Sequence, residues 1–216
     1  MHWIKTTILA LVIAAISLPA AAEPQSHTHI KHITSSWPDA PKQMGLLQVA
    51  LNETAIATLY IKLSQTQSTD LAWIKLHVSR AKHALDGAQY GDGGLGYGVV
   101  KAARGITKHI LLAANSPDAS VNVKLHSQRI IVGANNAAAV AGQMLLICNS
   151  VSSAISTSQA LALTRQLEEL AGILLNGEDL NYDGEINVIQ KEGGLTLARQ
   201  QTVFMARAEG LIKVKK

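Results

Sequence analysis

The stretch that decides the fold is residues 121–150, which read VNVKLHSQRIIVGANNAAAVAGQMLLICNS. It is rich in alanine and aliphatic residues and contains no proline, phenylalanine, tyrosine or tryptophan. Alanine-rich sequence with few aromatic residues favours helix over sheet. No charged residue occurs from Ile130 to Thr164, so the predicted helix is expected to lie at the centre of a bundle, buried on most of its sides.

A membrane-spanning helix is the alternative for the same stretch, because its apolar run is long enough to cross a bilayer. The side chains of Asn135, Asn136, Gln143 and Asn149 count against a membrane span, since amides are costly in lipid. A buried bundle helix is therefore the expectation, and a signal-anchored membrane component is the alternative.

The rest of the chain extends the helical pattern. Of its 216 residues, 48% are hydrophobic and 16% are charged, which provides enough apolar side chains for a packed core and is too apolar for disorder. Helical periodicity predicts five further helices, at about 41–67, 70–87, 97–115, 156–176 and 195–209. Because the connections are short, consecutive helices should run antiparallel, and the predicted fold is an all-α, up-and-down helical bundle.

The N-terminus has the pattern of an export signal. Lys5 precedes an apolar run at 8–18, and small residues follow as far as Ala22. This three-part pattern predicts a signal peptide over residues 1–22, and hence a secreted or periplasmic protein. The apolar run is too short to span a bilayer comfortably, so membrane attachment after cleavage is not expected.

The residues after the helix predicted at 156–176 have the spacing of calcium ligands. Residues 179–190 read DLNYDGEINVIQ. Asp179, Asn181 and Asp183 carry oxygen-bearing side chains at alternate positions, and these can converge on one ion if the chain curls. Gly184 permits the sharp turn that this curl requires. Calcium is the expected ion, because it takes six to eight oxygen ligands.

This stretch resembles the calcium loop of EF-hand and dockerin-type proteins, and the resemblance covers about twelve residues. The resemblance implies that the loop lies between two helices at the C-terminal end of the bundle. The ligands that it implies are the side chains of Asp179, Asn181 and Asp183, the backbone carbonyl of Glu185, and Asn187, often through water.

The twelfth position of the loop departs from that family. The family places a bidentate acid there, and this chain has Gln190, so that Gln190 or the nearby Glu192 would complete the site. With a weaker ligand set, we expect a dissociation constant on the order of 10⁻⁴–10⁻³ M, which is typical of extracellular modules. A metal-free polar turn is the alternative, since aspartate, asparagine and glycine are also ordinary turn residues.

These predictions divide the chain into four segments. Residues 23–40 are polar and contain proline, and are expected to be a loose arm. The segments are the signal peptide at 1–22, a flexible N-terminal arm at 23–40, a helical bundle at 41–155, and a helix–calcium loop–helix unit at 156–216 that packs on the bundle.

Three histidines of the bundle suggest a second metal site. At about 1.5 Å of rise per residue, His77, His109 and His126 lie at nearly one depth if their helices pack antiparallel. If they converge, they would suit zinc, copper or haem iron, which accept imidazole ligands. The alternative is three separate histidines, hydrogen-bonded or at the surface.

A second histidine set lies in the predicted arm. His27, His29 and His32 form a short tract of the kind that binds copper or zinc, and a flexible tract would bind weakly because it must be ordered. The formal net charge of +4 is mild and does not indicate nucleic-acid binding. No serine, histidine and acid spacing indicates a nucleophile, so the sequence favours a non-enzymatic protein.

The predicted function is an exported calcium-binding helical protein, acting as a binding or structural module in which calcium stabilises the C-terminal hairpin. The alternative is a periplasmic transition-metal or haem-binding redox or carrier protein that uses the histidine layer. The expected partner is the calcium ion, and the sequence leaves open whether another protein also binds.

Overall fold

A computed structural model describes residues 23–88, 92–187 and 192–212 of the chain. These residues form seven α-helices and no strand, so the predicted all-α helical bundle is confirmed. The predicted signal peptide at residues 1–22 lies outside the described residues. The helices are α1 (Gln25–Thr34), α2 (Leu46–Ser64), α3 (Leu71–Asp86), α4 (Val99–Asn115), α5 (Val121–Ser152), α6 (Thr157–Asn176) and α7 (Leu195–Ala208).

The central helix is α5, which packs against α3, α4, α6 and α7. Ile130, Ala134, Ala137 and Ala141 are fully buried and follow one another at intervals of three or four residues, so they share one face. Leu146 on another face is 68% exposed. The helix is thus buried along one face rather than on most sides. By length and composition α5 is also apolar enough to cross a membrane, and 33% of its most apolar window is buried.

The segment expected to be a flexible arm, residues 23–40, contains α1 instead. Ile30 and Ile33 lie three residues apart on this helix and are both fully buried. Pro24 immediately precedes the helix, a position that tolerates a residue lacking an N–H donor. The polar and histidine-rich composition concealed this short apolar face, and the histidines of the segment therefore lie on a packed helix.

Capping side chains set the helix ends close to the predicted positions. Asp70 accepts a hydrogen bond from the backbone N–H of Trp73 at 3.0 Å, and Ser120 accepts one from Val123 at 3.0 Å. Gly87 ends α3 with a φ of 72°, in the left-handed region that glycine adopts without strain. The ends that these caps set for α3 lie within one residue of the predicted range of 70–87.

A buried carboxylate organises the connection between α3 and α4. Glu53 on α2 is fully buried and accepts hydrogen bonds from the backbone N–H groups of Leu95, Tyr97 and Gly98 at 2.8–3.0 Å. These N–H groups satisfy a charge that would otherwise be costly to bury. The start of α4 is thereby fixed relative to α2, and with it the position of His109.

Candidate metal centres

The three histidines predicted to share one site do not meet. His77 on α3 packs against the ring of Trp73, with centroids 4.2 Å apart. His126 on α5 lies against α7, where its Nδ1 is 2.7 Å from Oε1 of Gln201. His109 on α4 faces α1 instead. The predicted layer is therefore wrong, because equal depth along antiparallel helices leaves the rotation of each helix about its axis undetermined.

His109 joins two histidines of α1 in a group that we call the histidine cluster: His29, His32 and His109. The Nδ1 atom of His109 lies 3.2 Å from Nδ1 of His29 and 3.2 Å from Nδ1 of His32. One ligand atom from each residue lies within 4.8 Å of the other two, so the group could hold a metal ion. His29 and His32 share a face of α1 because they are three residues apart, and α1 packs on α4.

Sequence reasoning placed His29 and His32 in a flexible tract and did not connect them to His109. The i, i+3 spacing of the two histidines was visible, and so were Ile30 and Ile33 at the same spacing on the adjacent face. Together they indicate an amphipathic helix with the two isoleucines on its apolar face and the two histidines on the face beside it. That signal would have placed both histidines on a helix, although it does not identify the helix that α1 packs against.

Trp37 forms one wall of the histidine cluster. Its ring centroid lies 4.5 Å from that of His109 and 4.8 Å from that of His32. Its Nε1–H donates a hydrogen bond to the hydroxyl of Tyr97 at 3.1 Å, and the ammonium of Lys101 lies 4.1 Å from the centre of the Tyr97 ring. The indole is therefore held in one orientation and presents an apolar surface to two of the imidazoles.

The pKa values of His109 and His32 are both lowered by their surroundings in the cluster. Burial, followed by the nearby His32, His29 and Lys108, lowers the pKa of His109 to about 4. Burial and the neighbouring His29 also lower the pKa of His32. Near neutral pH, His109 is uncharged, and one of its ring nitrogens carries a free lone pair.

Two polar contacts at its N-terminal end attach α1 to the bundle. The backbone N–H and the hydroxyl of Ser26 donate to the carboxylate of Asp118, at 3.2 and 3.1 Å to the same oxygen. Nε2 of His27 lies 3.1 Å from a carboxylate oxygen of Glu209, just beyond α7. His27 is thus paired with an acid and lies outside the cluster, although it belongs to the same sequence tract.

The second centre is the loop between α6 and α7, which we call the acidic loop: residues 179–187 with Glu192. The carboxylate of Asp179 accepts hydrogen bonds from the backbone N–H groups of Asp183 at 3.2 Å and Gly184 at 2.9 Å. The side-chain amide of Asn181 donates to the carboxylate of Asp183 at 2.7 Å. Gly184 has a φ of 85°, so the chain turns there rather than continuing as a helix.

Glu192 holds the acidic loop from its buried side. It is 1% exposed, and one carboxylate oxygen accepts the N–H groups of Leu180 and Asn181 at 3.0 and 3.3 Å. The other oxygen accepts the N–H of Asn187 at 3.1 Å. This bonding differs from the expected ligand role, because both oxygens already bind backbone donors. Gln190, the other predicted replacement ligand, lies outside the described residues.

The acidic loop is closed at its base and seated on α5. Gly177 and Gly193 form an antiparallel β-bridge. The side-chain amide of Asn136 on α5 donates to the carbonyl of Gly193 at 3.0 Å. A Cβ on Gly133 of α5 would lie 2.5 Å from the carbonyl oxygen of Gly194, so glycine is required there for the backbones to approach. The two ends of the loop are therefore fixed relative to the central helix.

Comparisons of the chain with protein-family models, with curated proteins and with solved structures found no match. Function is therefore inferred from the residues of the histidine cluster and of the acidic loop. The first offers three nitrogen ligands on helices, and the second offers oxygen ligands on a loop.

Proposed function

We propose that the protein is an exported calcium-binding helical protein in which one calcium ion binds the acidic loop and stabilises the hairpin of α6 and α7. The observation that carries this proposal is the inward-facing carboxylate of Asp179, which accepts N–H groups from Asp183 and Gly184. This bonding keeps the chain curled, so that the side chains of Asn181 and Asp183 stay beside Asp179. Export is inferred from the signal-peptide pattern of residues 1–22.

The chemistry of the loop supports calcium over other metals. Its side chains offer carboxylate and amide oxygens, and residues 179–187 contain no histidine or cysteine. Oxygen ligands suit a hard cation such as calcium, whereas zinc and copper favour imidazole and thiolate. Magnesium demands a smaller and more regular octahedron, so the loop should discriminate between the two alkaline-earth ions.

Charge also favours a cation at this loop. Glu178, Asp179, Asp183 and Glu185 fall within ten residues, and no lysine or arginine occurs among residues 178–187. Like charges at this density repel one another when the loop closes. A bound divalent cation offsets that repulsion, and the ion is therefore expected to stabilise the closed form of the loop.

The role proposed for the ion is to set the direction of α7, and the position of the loop supports this role. The loop exits through Gly193 and Gly194 directly into α7, which packs along α5. An ion that fixes the loop therefore fixes the angle at which α7 leaves it. The sequence contains no second loop of this pattern with which it could pair, so the ion is proposed to be a structural clip rather than a conformational sensor.

Thermal unfolding with and without calcium tests this proposal. With a dissociation constant of 10⁻⁴–10⁻³ M, about 10 mM calcium should stabilise the protein by roughly 1.4–2.7 kcal/mol. For a chain of this size that corresponds to an increase in the melting temperature of about 3–10 °C. The measurement is differential scanning calorimetry of the mature chain in chelator, in calcium and in the same concentration of magnesium.

Two charge-matched variants make the test specific. Asp183→Asn removes a proposed ligand charge, and should abolish most of the calcium-dependent increase. Glu185→Gln removes the same charge from the same loop, but Glu185 is expected to bind through its backbone carbonyl, so the increase should persist. An absence of stabilisation by calcium would show that the loop is a metal-free turn. An equal loss in both variants would show that calcium responds to the overall charge of the loop and not to Asp183 as a ligand.

A further inference from the structure

The histidine cluster has the dimensions of a metal-binding site. Two ligands of a tetrahedral ion lie about 3.3 Å apart when each bond measures 2.0–2.1 Å, as for zinc bound to imidazole. Nδ1 of His109 lies 3.2 Å from Nδ1 of His29 and from Nδ1 of His32. Both separations match that spacing, and all three ligand atoms lie within 4.8 Å of one another. Small side-chain rotations would therefore place three nitrogens on one ion.

Hydrogen bonding among the imidazoles does not account for the arrangement equally well. In a neutral imidazole Nδ1 is either one donor or one acceptor. The Nδ1 atom of His109 faces two other Nδ1 atoms, so one of its two contacts cannot be a strong hydrogen bond. A cation at the centre would interact favourably with a lone pair from each ring. His109 is only 5% exposed, so a water molecule does not readily occupy the space between the three rings.

We propose that His29, His32 and His109 together bind one zinc or copper ion. The site shares no residue with the acidic loop and goes beyond the calcium-binding function. Three imidazole nitrogens with no carboxylate in the group are ligands for borderline transition metals and not for calcium or magnesium. The cluster does not suit haem, because a porphyrin occupies four positions around its iron and leaves two opposite ones, whereas these three nitrogens adjoin one another.

Trp37 shapes the remaining side of the site. Its indole lies against the rings of His32 and His109 and is held by its hydrogen bond to Tyr97. An apolar wall excludes water from that side and favours a low coordination number. The three rings would then supply the ion's protein ligands, and His29 and His32 are both partly exposed.

The fold supplies the site with little ordering cost. His29 and His32 lie on α1, whose Ile30 and Ile33 are buried in the core. His109 lies on α4, which packs directly against α1. Side chains that are already positioned by helix packing lose little further freedom when an ion binds. This arrangement contrasts with a flexible histidine tract, which must be ordered before it binds.

Metal titration of the full mature chain, prepared without a polyhistidine tag and first stripped with chelator, tests the proposal. Zinc and copper(II) are added separately against a chromophoric competitor, and bound metal is measured by elemental analysis. We expect one equivalent per chain. Copper should also quench the fluorescence of Trp37, because the indole lies against two of the ligands, and the quenching should be lost in Trp37→Phe.

Matched histidine variants make the result interpretable. His29→Gln and His32→Gln alter partly exposed positions, so the fold should persist, as circular dichroism would show. Each should weaken metal binding by at least 10- to 100-fold, because that is the usual cost of losing even a residue that only hydrogen-bonds to a metal ligand. His27→Gln changes a histidine of the same helix that pairs with Glu209 instead, and should leave the affinity unchanged.

Three outcomes would overturn the proposal: no stoichiometric binding of either metal, full affinity retained in His29→Gln and His32→Gln, or an equal loss in His27→Gln. The Asp183→Asn variant separates this site from the calcium proposal. It should retain the zinc or copper equivalent whether or not the acidic loop binds calcium, so failure at one centre is distinguishable from failure at the other.

Discussion

The histidine cluster and the acidic loop are the two proposed metal centres, and they bring their side chains together in different ways. The cluster takes three side chains from two helices, and the packing of α1 on α4 decides where they meet. The loop takes its side chains from one short segment, and hydrogen bonds within the segment decide its shape. Replacing a histidine of the cluster should therefore weaken metal binding without unfolding the protein. Replacing a residue that holds the acidic loop by hydrogen bonds should reduce both stability and calcium binding.

The largest expected effect comes from Glu192→Gln, which probes the support of the loop. The substitution keeps the size of the side chain but turns one buried acceptor toward a backbone donor as an NH₂ group. Losing charge-assisted bonds and leaving a buried donor unpaired should cost about 3 kcal/mol. Calorimetry should show a fall in melting temperature of about 6–12 °C, and calcium should no longer restore the full stability.

Glu178→Gln is the matched control for that experiment. Glu178 is exposed and adjoins the same loop, so its replacement removes the same charge without removing a buried acceptor. Its melting temperature should stay close to that of the unaltered protein. If Glu192→Gln lowers the melting temperature no more than Glu178→Gln does, the hydrogen bonds of Glu192 contribute little to stability. The contrast drawn between the acidic loop and the packed helices would then be wrong.

The next largest effect is the loss of stability at low pH, which tests the environment of His109 in the histidine cluster. Because the pKa of His109 is lowered to about 4 from an ordinary value of about 6.5, the unfolded chain takes up this proton at a higher pH than the folded chain does. Stability from this group is therefore complete above about pH 7 and is lost as the pH falls from about 6.5 to 4. At pH 5 the loss should be on the order of 2 kcal/mol.

The comparison that isolates this contribution is urea unfolding at pH 7 and pH 5, in chelator, of the unaltered protein and of His109→Phe. The variant cannot titrate at this position, so its loss of stability between the two pH values should be smaller by about 2 kcal/mol. Equal losses in the two proteins would mean that His109 is protonated as readily when folded as when unfolded.

The smallest expected effect comes from Gly184→Ala in the acidic loop. The space around this residue is open, but its φ of 85° disfavours any residue with a Cβ. The cost should be about 1 kcal/mol, together with weaker calcium binding measured by isothermal titration calorimetry. Gly142→Ala in α5 is the opposite control, since its space is also open, and alanine there should stabilise by about 0.5–1 kcal/mol. A neutral result at Gly184 would mean that the loop does not depend on this turn.

The helices of the bundle were predictable because local chemistry specifies them. Alanine-rich periodicity, the capping side chains of Asp70 and Ser120, and Gly87 at the end of α3 act within a few residues of one another. Predicted and observed ends therefore agree within three residues for most helices, as for the helix predicted at about 156–176 and found at Thr157–Asn176. The helix predicted at about 41–67 begins five residues later, at Leu46, because residues 41–43 form a separate 3-10 turn. The exception is α1, whose apolar face consists of two isoleucines hidden among polar residues.

The histidine cluster was not predictable by the same means. Its formation depends on which face of α4 turns toward α1, and that rotation results from long-range packing of Ile30 and Ile33 and from the position at which Glu53 fixes the start of α4. The sequence gives depth along each helix through the rise per residue, but it does not give rotation. The acidic loop was a local prediction, and its spacing and its turn at Gly184 could be read directly from the sequence.

One consequence of α7 concerns both centres at once. This helix of 14 residues, about 21 Å long, starts directly after the acidic loop, and the residue that follows it, Glu209, contacts His27, two positions before His29. The helix therefore connects the acidic loop to the helix that carries His29 and His32. If an ion at one centre shifted α7 and thereby strengthened binding at the other, an ion at the second centre would strengthen binding at the first by the same factor.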